Sequence, residues 1–327
     1  MISIKTLSVL GHEKEEAVLH EAIAHDKVFP TWIFHGPFGV GKSSIAYKFA
    51  KCLLSGFIPA NNTLDIPPEN PIHKLVDLRI HPDFFVLEQS NESISIDDTR
   101  KLLLKIRKSP SVSQRRVLVL ENFSNLNKNI YNSLLKMLEE PPQNSVVIMI
   151  CNNIGIIPKT LLSRVAKIYF TPLNKSLVKQ ILDSRDIKNS ESLARLSEGS
   201  VGYALHLNDN NGIEIYNNIL KGFSSIGNLY QKTLKWIIDN NLCDNFEIIK
   251  TSILRILKIY IAILSDTADE NYEEEIKILE PIANAKRNYL DREIKKIQEI
   301  IFMIGLCDPL ILDRNAVIAN TFERFFK

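Results

Sequence analysis

The apolar residues in the first half of the chain form short continuous runs. These runs are Thr31–His35, Phe84–Leu87, Val117–Leu120, Val146–Ile150 and Lys167–Phe170. A parallel strand that is buried on both faces is apolar at consecutive positions, as Val117–Leu120 is. Between the runs, Ile45–Leu54 and Asn129–Glu139 carry their apolar residues on one helical face. Strands that alternate with helices predict a three-layered α/β fold with a mainly parallel sheet, ending near Pro172.

The second half of the chain has helical patterns without intervening strands. Residues 174–207 indicate a few short helices, and residues from about 212 indicate longer amphipathic ones, such as Phe246–Leu264 and Asp291–Ile304. We therefore predict three domains: an α/β domain over 1–172, a small helical domain over 173–210 and an all-helical domain over 211–327.

Charge and cysteine content exclude several classes of protein. The 327 residues include 40 Lys+Arg and 38 Asp+Glu, so no global charge excess demands a nucleic-acid partner. No secretory signal or membrane-spanning segment is recognisable, which predicts a cytoplasmic protein without a membrane partner. The four cysteines, at 52, 151, 243 and 307, are widely separated, which predicts reduced thiols and no zinc site.

Gly36-x-x-x-x-Gly41-Lys42-Ser43 is a complete phosphate-loop pattern between a strand and a helix. Backbone N–H groups of such a loop wrap phosphates, the lysine neutralises them, and the Ser43 hydroxyl can bind Mg²⁺. The pattern predicts that ATP binds with Mg²⁺; a loop of this shape that stays empty is the alternative. The candidate nucleotide-binding residues are Gly36, Gly39, Gly41, Lys42, Ser43, Ser44 and Glu121.

Hydrolysis of the nucleotide needs more than this loop. A P-loop hydrolase holds Mg²⁺ with an acidic residue after a second strand, and a neighbouring Glu often activates water. The strand Val117–Leu120 is followed by Glu121 and Asn122. Glu121 can contact Mg²⁺, but an asparagine cannot accept a proton. The sequence therefore predicts binding without efficient hydrolysis.

A longer set of motifs resembles a known family. The run Asn132–Pro142, which contains Leu-Glu-Glu-Pro-Pro, and the later Leu162-Ser163-Arg164-Val165 are similar to motifs of bacterial DNA polymerase III clamp-loader subunits. His81-Pro82-Asp83 and Asp97-Asp98-x-Arg100 resemble the same family, and the likeness covers about residues 10–210. The resemblance implies an AAA+ P-loop domain over 1–172, a helical lid over 173–210 and a helical collar over 211–327.

The same resemblance implies a function. Clamp loaders are rings of five subunits that open a sliding clamp and place it on primed DNA. The arginine matching Arg164 would reach into a neighbouring subunit's ATP site and stabilise charge on the transferred phosphoryl group. An ordinary surface arginine in a turn is the alternative.

The chain departs from the family pattern at three places. Val165 replaces a cysteine, and residues 55–80 carry prolines and asparagines where the motor subunits have a four-cysteine zinc module. In Gly199-Ser200-Val201-Gly202, the glycine at 202 stands where active members have a sensor arginine. Retention of Arg164 without the chain's own hydrolytic groups resembles the delta-prime branch.

This assignment implies gamma/tau motor subunits and a delta subunit as partners, with the clamp contacted indirectly and primed DNA through the complex. Two other functions stay open: an ATP-hydrolysing motor of the same superfamily, and a P-loop kinase or small-molecule enzyme. The kinase alternative lacks a second substrate-binding motif and leaves the helical tail unexplained.

A basic cluster of Lys101, Lys105, Arg107, Lys108, Arg115 and Arg116 either contacts duplex phosphates or forms a solvated helix face.

Overall fold

The chain divides into two compact units, Met1–Ala204 and Leu205–Lys327. The computed structural model describes residues 10–88, 96–123, 128–223, 229–240, 245–269, 272–305 and 313–326. The separate lid and collar predicted at 173–210 and 211–327 stay predictions.

A five-stranded parallel sheet organises the first unit, with the strand order β2-β3-β4-β1-β5. The strands are β1 (Thr31–His35), β2 (Phe84–Glu88), β3 (Arg116–Glu121), β4 (Ser145–Cys151) and β5 (Ala166–Tyr169). All five lie where the apolar runs predict them. Because parallel strands share a direction, their carboxyl ends meet at one edge of the sheet.

Helices cover both faces of this sheet. They are α1 (Glu13–Ala24), α2 (Lys42–Ser55), α3 (Ile72–Asp77), α4 (Ile96–Ile106), α5 (Lys128–Glu139) and α6 (Lys159–Leu162). Three helices follow β5: α7 (Lys175–Asp183), α8 (Ser190–Leu196) and α9 (Val201–Asp209), the last of which continues past Ala204 into the second unit. Alternate residues of β3 enter different cores: Val117 and Val119 pack with α2 residues, while Leu118 and Leu120 pack with α5 residues. The predicted three-layered α/β class is confirmed.

Residues 55–80, predicted to be irregular, contain only the short helix α3. Ion pairs attach this insertion to α2, which is itself paired with α1. The Lys48 ammonium lies 2.9 Å from Glu16 and 2.8 Å from Asp65, and Lys51 lies 2.7 Å from Asp77. Glu16 also accepts a hydrogen bond from the backbone N–H of Leu64 at 3.0 Å.

The described residues of the second unit form helices and the short connections between them. It contains α10 (Gly212–Phe223), α11 (Leu229–Asp239), α12 (Phe246–Leu264), α13 (Glu273–Lys286), α14 (Leu290–Gly305) and α15 (Arg314–Phe326). A buried carboxylate joins three of these helices, because Glu275 accepts the Tyr216 hydroxyl at 2.7 Å and lies 3.6 Å from the Arg255 guanidinium. Across the described part of the chain, no helix is both long and apolar enough to cross a membrane.

Candidate nucleotide site and the Arg164 turn

The phosphate loop, residues 36–41, connects β1 to α2 through a backbone that needs glycine. Gly36, Gly39 and Gly41 have φ angles of +147°, +72° and +117°, a region that residues with a side chain rarely adopt. A Cβ at Gly36 would also lie 2.3 Å from the Phe170 carbonyl oxygen. The loop therefore keeps its shape only with glycine at these positions.

Lys42 is the first residue of α2, and its side chain is almost fully buried. Its ammonium donates to the carbonyl oxygens of Gly36 at 2.7 Å and Pro37 at 2.5 Å, and to the Asn152 amide oxygen at 3.0 Å. Burial lowers the pKa of Lys42 to about 8, against the opposing effects of Cys151 and Glu121. The site thus contains one buried cation at the carboxyl edge of the sheet.

The N-terminus of α2 offers hydrogen-bond donors that the chain does not use. Gly41 provides no side-chain cap, and in the described residues nothing accepts a hydrogen bond from the backbone N–H groups of Lys42, Ser43 or Ser44. Orphan N–H groups and the helix dipole together favour an anion at this end of a helix. These groups fit the phosphates of a nucleotide.

Ser43 and Glu121 are oriented toward each other, as a shared metal ligand set requires. The Ser43 hydroxyl donates to Glu121 Oε2 at 2.8 Å. Burial raises the pKa of Glu121, while the hydrogen bond from Ser43 lowers it. A hydroxyl and a carboxylate are oxygen ligands of the kind that Mg²⁺ prefers, with phosphates supplying others. In the described part of the chain, no cluster of three or more His, Cys, Asp or Glu side chains forms an independent metal site.

The groups next to Glu121 bear on hydrolysis. Asn122 is exposed and has a φ of +48°, so the chain turns at this residue directly after the strand. The neighbour of Glu121 across the sheet is Glu88. Its carboxylate is exposed and lies 2.8 Å from the Arg79 guanidinium. The sequence motifs did not point to Glu88, which comes beside Glu121 only through strand pairing.

Two further residues of the site escaped the sequence reasoning. Asn152 directly follows β4 at the carboxyl edge of the sheet, and its side-chain oxygen accepts a hydrogen bond from the Lys42 ammonium. His12 precedes α1, and its Nε2 donates to the Val40 carbonyl at 2.6 Å while its ring packs against Phe170. A polar residue at the end of a buried strand was the available signal for Asn152, whereas no local pattern distinguishes His12.

The segment Gly199–Ala204 contacts the outer side of the phosphate loop. The Ser200 hydroxyl donates to the Phe38 carbonyl at 2.8 Å, and the Gly202 N–H donates to the Gly39 carbonyl at 2.8 Å. A Cβ at Gly202 would lie 2.7 Å from Gly39 Cα. In this arrangement position 202 has no room for the sensor arginine that the family pattern would place there.

Arg164 lies in a turn apart from the phosphate-loop residues, between α6 and β5. The side chains of Leu161 and Val165 are buried on either side of it, whereas Ser163 and Arg164 are exposed. The backbone N–H of Arg164 closes the turn on the Leu161 carbonyl at 3.0 Å. Among the described residues the Arg164 guanidinium has no hydrogen bond or ion pair. The turn therefore presents the Arg164 guanidinium to solvent.

The basic cluster is smaller than the sequence indicated. Arg116 is buried, and its guanidinium lies 3.4 Å from Asp83 and donates to the Lys105 carbonyl. Including Arg116 in a DNA-facing surface was therefore wrong, because β3 directs it into the interior. Asp83 also accepts the backbone N–H groups of Ser111, Val112 and Ser113 at 2.7–2.9 Å, which explains the acidic residue of the His81-Pro82-Asp83 motif.

Comparison with known proteins decides the family. Residues 11–174, half of the chain, match the sequence model of the family described as DNA polymerase III, delta subunit. The chain belongs to this family. Its parallel sheet, phosphate loop and helical C-terminal part, together with this match, confirm the predicted AAA+ fold in this member of the delta subunit family.

Individual relatives of this family member carry the names of different subunits. It is 28% identical over 62% of its length to the DNA polymerase III subunit gamma of Buchnera aphidicola (subsp. Baizongia pistaciae), and covers 55% of that protein. It is 26% identical over 55% of its length to the DNA polymerase III subunit delta' of Bacillus subtilis, and covers 53% of that protein. The chain thus spans about half the length of these curated relatives.

Solved structures include a DNA polymerase III gamma subunit-related protein from Thermotoga maritima. That protein is 14% identical, with 95% of this chain and 98% of that chain covered and a TM-score of 0.43.

Proposed function

We propose that this chain is a delta-prime-like subunit of a DNA polymerase III clamp loader, which binds ATP with Mg²⁺ and itself hydrolyses little of it. The observation that carries the proposal is a complete phosphate loop whose Ser43 contacts Glu121. The residue after Glu121 is Asn122, whose side-chain amide cannot accept a proton as the glutamate of a P-loop hydrolase does. Glu88, the carboxylate on the neighbouring strand, is engaged with Arg79.

The binding roles follow from the groups at the loop. The backbone of Gly36, Gly39 and Gly41 and the free N–H groups at the start of α2 would hold the phosphates. Lys42 would neutralise them, and the Ser43 and Glu121 oxygens would hold Mg²⁺, with Ser44 beside them. The metal, when bound, neutralises phosphate charge; the chain's own groups bind and orient the nucleotide without removing a proton from water.

Arg164 would act on a neighbouring subunit. It is exposed, lies between two buried anchor residues and has no partner among the described residues of its own chain. A guanidinium is always charged, and its planar fork suits bidentate contact with phosphate oxygens. These properties support its role as an arginine finger supplied in trans.

The proposed partners are gamma/tau motor subunits and a delta subunit, with the sliding clamp contacted through them. Primed DNA would be bound by the complex in the cytoplasm. Lys105, Arg107 and Lys108 remain exposed and suit phosphate contacts there.

An ATP-hydrolysing motor subunit is the second candidate. Relatives named gamma or tau favour it, among them the tau subunit of Bacillus subtilis, 26% identical over 73% of this chain. On this alternative Glu121 and its neighbour Glu88 would have to supply the hydrolytic groups.

ATP turnover by the purified chain separates the two candidates. We expect the wild type to release phosphate no faster than Lys42→Ala, because no free proton acceptor follows Glu121. Turnover that depends on Lys42 would support the motor. Co-purification with gamma/tau and delta subunits tests the complex itself; a chain that joins neither would contradict the loader assignment.

A further inference from the structure

The carbonyl groups of the phosphate loop are all engaged by the protein. Lys42 binds those of Gly36 and Pro37, Ser200 binds that of Phe38, Gly202 that of Gly39 and His12 that of Val40. Three of these four partners, His12, Ser200 and Gly202, lie outside the motif. The loop is thus held along its carbonyl side by residues from distant parts of the chain.

Holding a carbonyl fixes the amide that follows it. In a trans peptide the C=O and N–H bonds point in opposite directions. Capturing the Phe38 and Gly39 carbonyls therefore turns the N–H groups of Gly39 and Val40 away from Ser200 and Gly202. Within the described residues these two N–H groups have no acceptor. Consecutive N–H groups that face one side form an anion-binding concavity.

We propose that Ser200 and Gly202 are positioning residues for nucleotide binding: they clasp the outer side of the phosphate loop and so aim its N–H groups at the phosphates. The inference rests on the proposed nucleotide binding and adds which residues set its affinity. It also gives Gly202 a role of its own, because the clasp needs a backbone donor at this position and tolerates no side chain.

The clasp and the nucleotide must then stabilise each other. If the clasp strengthens phosphate binding by some factor, bound phosphate strengthens the clasp by the same factor. The amides of Gly202 and Tyr203 report on the clasp, since the first donates to Gly39 and the second to the Ser200 hydroxyl at 2.9 Å. Their hydrogen exchange should slow when nucleotide binds.

Two variants of the full chain open the clasp in different ways. Ser200→Ala removes the hydroxyl bound to Phe38 together with the cap on Tyr203, whereas Gly202→Ala keeps the hydroxyl and pushes a methyl against Gly39. Ser184→Ala and Gly305→Ala are matched controls. Ser184 bonds an exposed carbonyl within its own turn, and a Cβ at Gly305 meets nothing within 4 Å.

We expect calorimetric titration with Mg²⁺–ATP and Mg²⁺–ADP to give about three- to tenfold weaker binding for both clasp variants, the size of one lost hydrogen bond. Both controls should bind like the wild type, and circular dichroism should show all four folded. Exchange at 200–204 should be faster in the variants, and in the wild type ADP should slow it.

The outcomes distinguish failure of the clasp from failure of the proposed nucleotide binding. Wild-type affinity in both clasp variants, with binding that still depends on Lys42, would overturn the clasp and leave nucleotide binding intact. If the wild type binds pyrophosphate but no nucleotide, the proposed ligand is wrong, and weaker pyrophosphate binding by the variants would still support the clasp. Binding of neither ligand would overturn both.

Discussion

Lys42 determines how the phosphate loop responds to pH. Its pKa in the ligand-free chain is about 8, lowered mainly by burial. The ammonium is therefore charged below pH 8 and loses its proton as the pH rises through this value. We expect affinity for Mg²⁺–ADP to fall over that range, and binding near pH 8 to take up a proton because phosphate favours the charged form.

Titration calorimetry at several pH values, in buffers of different ionisation enthalpy, measures both effects. The Lys42→Ala variant, whose binding should be weak throughout, is the control for titration of the nucleotide itself. Constant wild-type affinity from pH 7 to pH 9 would contradict the assignment of this step to Lys42.

Asp83 is a fully buried carboxylate whose loss should destabilise the fold. Burial alone would raise its pKa, but hydrogen bonds from Ser113, Ser111 and Val112 and the charge of Arg116 hold the pKa below its usual value. Asp83→Ala leaves Arg116 buried without its carboxylate, so we expect the free energy of unfolding to fall by about 3–5 kcal/mol. Urea unfolding measures this, and the exposed Asp98→Ala should change it little.

The sign of the pH dependence follows from the lowered pKa. Because folded Asp83 holds its proton less tightly than unfolded Asp83, its contribution is complete above the ordinary carboxyl pKa. It is lost as the pH falls through the lowered folded value. The difference between wild type and Asp83→Ala should therefore narrow in acid; a difference that widens would exclude this explanation.

At the scale of elements, the insertion over 55–80 is attached by ion pairs. Lys48 has a raised pKa despite its burial, because Asp65 and Glu16 accept its hydrogen bonds. Lys48→Met would leave Glu16 buried beside an apolar side chain. We expect it to destabilise the chain by roughly 3 kcal/mol and to speed proteolysis between residues 57 and 71.

Thermal unfolding and limited proteolysis measure these effects, with the exposed Lys27→Met as the matched control. We expect a chelator to change neither measurement in the wild type, because no cluster of metal ligands lies among the described residues. Equal proteolysis of Lys48→Met and wild type would show that the ion pairs do not secure this segment.

The elements could be predicted because their signals are local. Continuous apolar runs located all five strands, and the glycine spacing located the phosphate loop with Lys42 and Ser43. The contacts of Asn152 with Lys42 and of Ser200 with Phe38 join residues 110 and 162 positions apart. A pattern within a short window of sequence cannot contain such a pair. The sequence therefore predicted the loop but not the residues that hold it in place. Arg116 was misplaced for the same reason, since its partner Asp83 lies on the chain before β2.

At the scale of the whole molecule, Arg164 is the residue whose effect should appear only in an assembly. Arg164→Ala should fold, because the side chain is exposed, and should join a reconstituted loader. ATP hydrolysis at one neighbouring site should then fall, by up to roughly 10³–10⁵-fold if the arginine acts as fingers supplied in trans do elsewhere. Steady-state turnover of the reconstituted complex, compared with the isolated subunits, measures the loss.

Arg164→Lys is the informative companion variant, since lysine keeps the charge but not the planar fork and should rescue poorly. An Arg164→Ala complex that assembles and turns over ATP like the wild type would reduce Arg164 to a surface residue.

The phosphate loop binds mainly through its backbone, and this affects which mutations it tolerates. Every residue except proline supplies the same N–H group, so the exposed Phe38 can be exchanged for other side chains without altering the donors. A conventional alanine scan would register Lys42 and Ser43, together with Gly36, Gly39 and Gly41, whose positive φ angles disfavour a side chain, and would pass over Phe38. Natural variation at position 38 would accordingly reflect the molecules that contact this exposed side chain. It would say little about the affinity of the loop for its ligand.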